Sequence, residues 1–114
     1  MIPLDVEVFV AFEPIDLRIS FDLLAGTVRD RISGDPKSGA VFVFFGKRRD
    51  KLKALFYDKT GYCILYKRLC RGTFRIPERV SGQDASIRIE EDELVVLLDG
   101  LPLGGEEKKK TIVH

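Results

Sequence analysis

The chain has 114 residues, 45% of them hydrophobic and 32% charged, which is enough for one compact domain with a real core and too few for two. Its longest apolar run, residues 40–45, is far too short to cross a bilayer, so a membrane span or anchor is not expected. Net charge is only +1, yet residues 1–45 carry 4 basic and 7 acidic groups, residues 46–75 carry 10 and 2, and residues 76–114 carry 5 and 9.

In VEVFVAF, residues 6–12, Val6, Val8, Val10 and Phe12 alternate with Glu7 and its neighbours, the period of a strand, and Pro14 ends it. Between Asp16 and Ser33 the apolar residues Leu17, Phe21, Leu24, Val28 and Ile32 recur at intervals of three and four, which predicts an amphipathic helix. Asp16 suits the N-cap, because its carboxylate can accept from the free amides of a first turn, and Gly34 with Pro36 supplies the stop. AVFVFF, residues 40–45, is apolar on both faces and β-branched or aromatic, as a central strand covered on both sides should be.

Residues 51–57 and 62–69 predict a hairpin around Asp58, Lys59, Thr60 and Gly61. Two registers fit. A bulge at Gly61 with Asp58 facing Tyr62 sets Lys53 opposite Lys67 and Lys51 opposite Leu69; a four-residue loop with Tyr57 facing Tyr62 sets Lys53 opposite Tyr66 and Lys51 opposite Arg68. Either one is expected to group cations on one sheet face. Further on, residues 85–89 form a short strand, and residues 90–100 a helix with an acidic start and Leu94, Leu97, Leu98 and Leu101 on one face. The fold class is therefore α+β: one domain over residues 1–103, a mainly antiparallel sheet of about four to five strands with a central basic hairpin, two helices covering one face, and a polar tail at 104–114.

The positive charge belongs to one segment. Lys47, Arg48, Arg49, Lys51 and Lys53 precede or open the hairpin, and Lys67, Arg68, Arg71 and Arg75 close or follow it. Eight of the eleven aromatic residues lie between Phe42 and Phe74. Cations interleaved with rings are the composition of a nucleic-acid surface, the cations neutralising phosphates and the rings able to stack on unpaired bases. Ordinary sheets also use Phe, Tyr and Lys, and Phe42, Phe44 and Phe56 fall where the core must be. The nine cations are the stronger signal, since solubility does not require so much charge between two acidic flanks.

Catalytic constellations find little support. His114 is the one histidine and the last residue of the sequence, so no positioned base exists for a Ser-His-Asp or Cys-His arrangement. Cys63 and Cys70 match no zinc or redox spacing and are expected to pack as small apolar side chains in a reducing, cytoplasmic compartment, the sequence showing no secretory signal. A carboxylate metal site would have to be assembled from Asp16, Asp22, Asp35, Asp50 and Asp58, each with a local role open to it in a cap, a turn or a solvated face. No glycine pattern makes a nucleotide loop.

PIDLRISFDLLAG followed by DPKSGAVFVFFGKRRDKLKALFYDKTGYCILYKRLCRGTFRIP, with the closing EDELVVLLDGL, resembles the small accessory proteins called TnpB of bacterial insertion sequences of the IS-sixty-six type, which are unrelated to the RNA-guided nucleases of the same name. The resemblance is carried by Pro14, Asp16, Arg18, Phe21 and Asp22, by Asp35, Pro36, Ser38 and Gly39, by Asp50, Lys53, Asp58 and Gly61, and by Tyr66, Lys67, Arg68, Leu69, Gly72, Phe74 and Pro77. Ser20 stands where the family usually has glycine, and Phe56, Tyr57 and Ile76 where it often has tryptophan. The resemblance implies a role in transposition beside a separate, larger transposase that performs the strand chemistry, with no catalytic residue, metal or cofactor here. The expected function is a non-catalytic accessory protein that binds DNA, or the transposase–DNA complex, through the nine cations. The alternative is a protein–protein adapter to the transposase or another accessory subunit, and a metal-dependent nuclease is a remote third. The sequence leaves the oligomeric state open.

Overall fold

The structure is a computed structural model that describes residues 5–82 and 84–101. Five strands, β1 (Val8–Ala11), β2 (Val41–Phe45), β3 (Lys51–Asp58), β4 (Gly61–Arg68) and β5 (Ser86–Ile89), form one sheet in the order β4-β3-β2-β1-β5. All neighbours run antiparallel except β1 and β2, which are parallel. A parallel pair needs a crossover, and residues 12–40 supply it with helix α1 (Phe21–Thr27), continued as a wider π turn at Val28–Ile32. Helix α2 (Glu91–Leu98) follows β5, its first turn closed by a capping box in which Glu90 and Glu93 each bond the other's backbone amide.

β2 is the middle strand, and every one of its residues is buried, because both faces of the sheet are covered. Phe42 and Phe44 pack with Leu55 of β3 against Leu24, Ala25 and Val28 of the first helical segment. Val41, Val43 and Phe45 pack with Leu52, Ala54 and Phe56 against Leu94 and Leu97 of α2. The helices thus lie on opposite faces, not together on one as the sequence reading expects. The two-sided apolar character of β2 demands this arrangement, since a helix on one side alone would leave three buried-type residues in water.

Helix α1 begins at Phe21, later than its periodicity predicts, and Asp16 is not its cap. Ile15 instead pairs as an extended residue with Gly46 at the end of β2, its amide donating to the Phe45 carbonyl at 2.8 Å. This long-range pairing overrides the local period, and Ser20 takes the N-cap position without a side-chain bond. At the other end Ser33, with φ 59°, makes the left-handed exit, while Gly34 is needed for space: a Cβ there would meet Phe42 Cε1 at 3.0 Å. The hairpin adopts the register with Tyr57 opposite Tyr62 and Asp58 opposite Gly61, without a bulge, and Lys59 rather than Gly61 takes the left-handed conformation. That register sets the Tyr57 and Tyr62 rings edge to face at 5.2 Å and avoids facing Lys53 with Lys67. The expected polar tail lies outside the described residues.

Candidate nucleic-acid interface

β2 ends, β3 begins and β4 ends at the same edge of the sheet, so the segments 45–51 and 68–75 are brought together there. The link between β2 and β3 is a turn in which Arg49 N donates to Gly46 O at 2.9 Å and Gly46 N to Lys51 O at 3.1 Å, with Arg49 itself left-handed at φ 63°. The chain leaving β4 is bonded onto this turn by its backbone. Leu69 N donates to Asp50 O at 2.8 Å and Phe74 N to Arg49 O at 2.6 Å, while the Phe74 ring is buried against Phe45. Lys47, Arg48, Arg49 and Lys51 therefore share one end of the molecule with Arg68, Arg71 and Arg75. None of these seven has a carboxylate within ion-pair distance among the described residues, whose ion pairs are Arg18–Asp16, Lys67–Asp99, Arg79–Glu13 and Arg88–Glu7.

Two of the nine expected cations stand apart. Lys53 is only 8% exposed; its ammonium donates to the Ile19 carbonyl at 2.7 Å and lies 4.8 Å from the centre of the Tyr66 ring. Lys67 is on the opposite face of the sheet, where its ammonium donates to the Leu98 carbonyl at 2.7 Å and sits 4.0 Å from Asp99. It caps the C-terminal end of α2, where exposed carbonyls favour a cation. The expectation that the hairpin's cations all share one face is corrected accordingly: strand alternation sends Lys67 one way and Lys51, Lys53 and Arg68 the other.

On the α1 face, Lys51 and Arg68 are directly opposed across β3 and β4. Two pairs further along the ladder, on the same face, stand Lys53 and Tyr66. A groove of about 290 Å³ opens beside them, lined by Lys47, Arg48, Lys51 and Tyr66 with Asp50, and on its far wall by Asp16 and Arg18. The Ile15–Gly46 pairing puts that wall in place. Asp16 and Arg18 are locked together: Arg18 donates from Nε at 3.0 Å and from Nη2 at 2.7 Å to the carboxylate, and its backbone amide adds a third bond at 3.0 Å. Arg18's hydrogen bonds hold the Asp16 carboxyl down at about 2, with Lys47 contributing through its charge, and Arg18 is pushed up in return.

Arg18 and Tyr66 belong to this groove although the charge count alone does not select them. The signal for Tyr66 is the four-residue-loop register, which sets it opposite Lys53. Arg18 could be found only through the Ile15 pairing. Of the five aspartates considered for a metal site, Asp16 and Asp50 line the same groove, and among the described residues no group of three or more His, Cys, Asp or Glu side chains is placed to hold an ion. Cys63 packs against the core as expected, but Cys70 is exposed, and both are free thiols. No helix among the described residues is long and apolar enough to cross a membrane.

Residues 6–108 match the family described as IS66 Orf2 like protein. The chain belongs to that family. It is thereby an IS66-type accessory protein, with a role in transposition. Two proteins of Sinorhizobium fredii (strain NBRC 101917 / NGR234) resemble it along most of their length. Uncharacterized protein y4hO is 35% identical over 97 residues, 85% of this chain and 82% of that one, and uncharacterized protein y4jC is 31% identical over 94 residues, 82% and 78% respectively. No solved structure matches the chain significantly.

Several residues that carry the IS66 Orf2 resemblance have visible work in the fold. Asp35 accepts from the Lys37 amide at 2.9 Å and Ser38 Oγ from the Ala40 amide at 3.2 Å, and Gly39 and Gly72 have φ of 94° and 72°. Lys53 ties the segment leading into α1 to the sheet, Lys67 does the same for the end of α2, and Phe74 plugs the core beneath the basic turn. Asp16, Arg18, Tyr66 and Arg68 are the exposed members of the set at the basic end.

Proposed function

We propose that this IS66 Orf2-like protein is a non-catalytic accessory factor of transposition that binds DNA through phosphate contacts at the basic end of its sheet. The observation that carries the reading is the direct opposition of Lys51 and Arg68, neither of which has a carboxylate within ion-pair distance among the described residues. Like charges facing one another across a ladder cost stability, and an anion seated between them reverses that cost. Lys47, Arg48, Arg49, Arg71 and Arg75, hung on the two bonded turns around this pair, extend the field over the width of the edge. Lys53 and Lys67 serve the fold and leave seven cations of the original nine for DNA.

Binding of this kind weakens steeply with salt. Each phosphate contact to duplex DNA contributes about 0.9 to the log–log slope, so the seven cations set an upper limit of roughly 6. Titration of element-end and random duplexes at two salt concentrations tests the reading; no retention of either at low salt overturns it. Phe21 and Leu23, exposed at the start of α1, favour a second reading as an adapter to the transposase. Copurification with the element's other products separates the two, since nuclease treatment removes a DNA bridge and leaves a protein contact intact.

A further inference from the structure

Tyr66 is 55% exposed, the most open aromatic ring among the described residues. The other two tyrosines are half-buried and meet edge to face, with the Lys37 ammonium 5.6 Å over the Tyr57 ring, and the phenylalanines apart from Phe21 are buried or half-buried. Tyr66 has one face on the Lys53 ammonium, which is in turn anchored to the Ile19 carbonyl. The ring is thus held from below by a fixed buried cation, while the rest of it looks into the groove that Lys47, Arg48 and Lys51 line. Its hydroxyl has no hydrogen-bond partner among the described residues. Phe21, the other exposed ring, follows Ile19 by two residues in the chain.

We propose that Tyr66 is a stacking platform for an unpaired DNA base, so that the groove takes single-stranded or locally opened DNA in preference to closed duplex. The proposal rests on the phosphate-binding reading and adds its substrate class. Lys51 and Arg68 stand two ladder pairs from Tyr66 on the same face, about 6.6 Å along the strand. A nucleotide whose base covers the ring can therefore set its own or a neighbouring phosphate against those cations. A duplex can use the cations but not the ring, because both faces of each of its bases are already stacked. Stacking on an aromatic side chain reads no sequence, since every base has a π-face, so the expected preference is for strand state over sequence.

The test is fluorescence anisotropy of the full chain with a labelled mixed-sequence 20-mer, single-stranded and annealed to its complement, at low salt. The variants are Tyr66→Leu, Tyr66→Phe and Lys51→Ala. Tyr66→Leu still covers Lys53, so it preserves the fold while removing the π-face, and circular dichroism checks this. The expected result is a loss of single-strand affinity in Tyr66→Leu of about 5- to 150-fold, the range that one stacked base supports, with duplex affinity unchanged within about twofold. Tyr66→Phe keeps single-strand affinity, and Lys51→Ala weakens both DNAs. The chain has no tryptophan, so quenching of tyrosine emission by the unlabelled single strand, lost in Tyr66→Phe, is a second readout. Duplex binding with no single-strand effect of Tyr66→Leu overturns the stacking proposal and leaves the phosphate reading standing. Binding of neither DNA overturns both.

Discussion

Replacing Lys53 by Met tests the division between a lysine that holds the fold and the lysines proposed to meet DNA. The substitution keeps most of the unbranched stem, and so most of its packing, but removes the ammonium. It thereby deletes the 2.7 Å bond to the Ile19 carbonyl and the contact with the Tyr66 ring. A hydrogen bond from a charged donor contributes about 1.5–3 kcal/mol, and a partly desolvated cation–π contact about 1 kcal/mol. Against these stands the desolvation of an ammonium in a residue only 8% exposed, which Met relieves. The net expectation is a loss of about 2 kcal/mol. For a domain of this size that lowers the melting temperature by roughly 8 °C. Thermal and urea unfolding measure it, while the salt dependence of DNA binding, taken well below the melting point, keeps its slope. Lys51→Ala, at the half-buried start of β3 and in no ion pair among the described residues, should do the reverse: little change in melting and a slope lower by about 0.9. An unchanged melting temperature in Lys53→Met together with a lower salt slope would refute the division between the two lysines.

Three further outcomes follow from the same geometry. Gly34→Ala places a Cβ 3.0 Å from Phe42, and overpacking against a central-strand ring should cost about 1–3 kcal/mol in urea unfolding. Lys67→Met should destabilise by about 1–2 kcal/mol through the lost bond to the Leu98 carbonyl, with faster amide exchange in α2 and no change in the salt slope of DNA binding. In an NMR pH titration Asp16 should titrate at about 2, and in Arg18→Ala it should return towards its ordinary 3.8. Because the folded value is the lower one, the pair's contribution to stability is complete above 3.8 and disappears as pH falls through about 2.

β2 could be read from composition because five consecutive buried residues leave no other place for it, and the hairpin because its turn chemistry is local. What escaped the sequence reading was set at long range. Helix α1 starts late since Ile15 is drawn into pairing with Gly46, thirty-one residues away in the chain, a contact that no local period reveals. The placement of the helices depends on the crossover between two parallel strands, and a periodic pattern does not say which face a helix will cover. The hairpin register was undecided because Gly61 suits a bulge as well as a plain strand end, and that one-residue ambiguity decided which cations faced together. Charge counting located the basic edge correctly in the chain. It could not tell Lys53 and Lys67 from their neighbours, since a lysine that grips a carbonyl and a lysine that waits for a phosphate look alike in one dimension.

The turn at Gly46–Lys51 and the segment after Arg68 are joined amide to carbonyl and by the buried Phe74 ring, not through their cationic side chains. The framework here consequently does not depend on which exposed cations decorate it. Related elements could exchange one arginine for a serine or a lysine for a glutamine, loosening or tightening their grip by small steps, without putting folding at risk. Such a surface can drift with its mobile element while the domain beneath it stays the same.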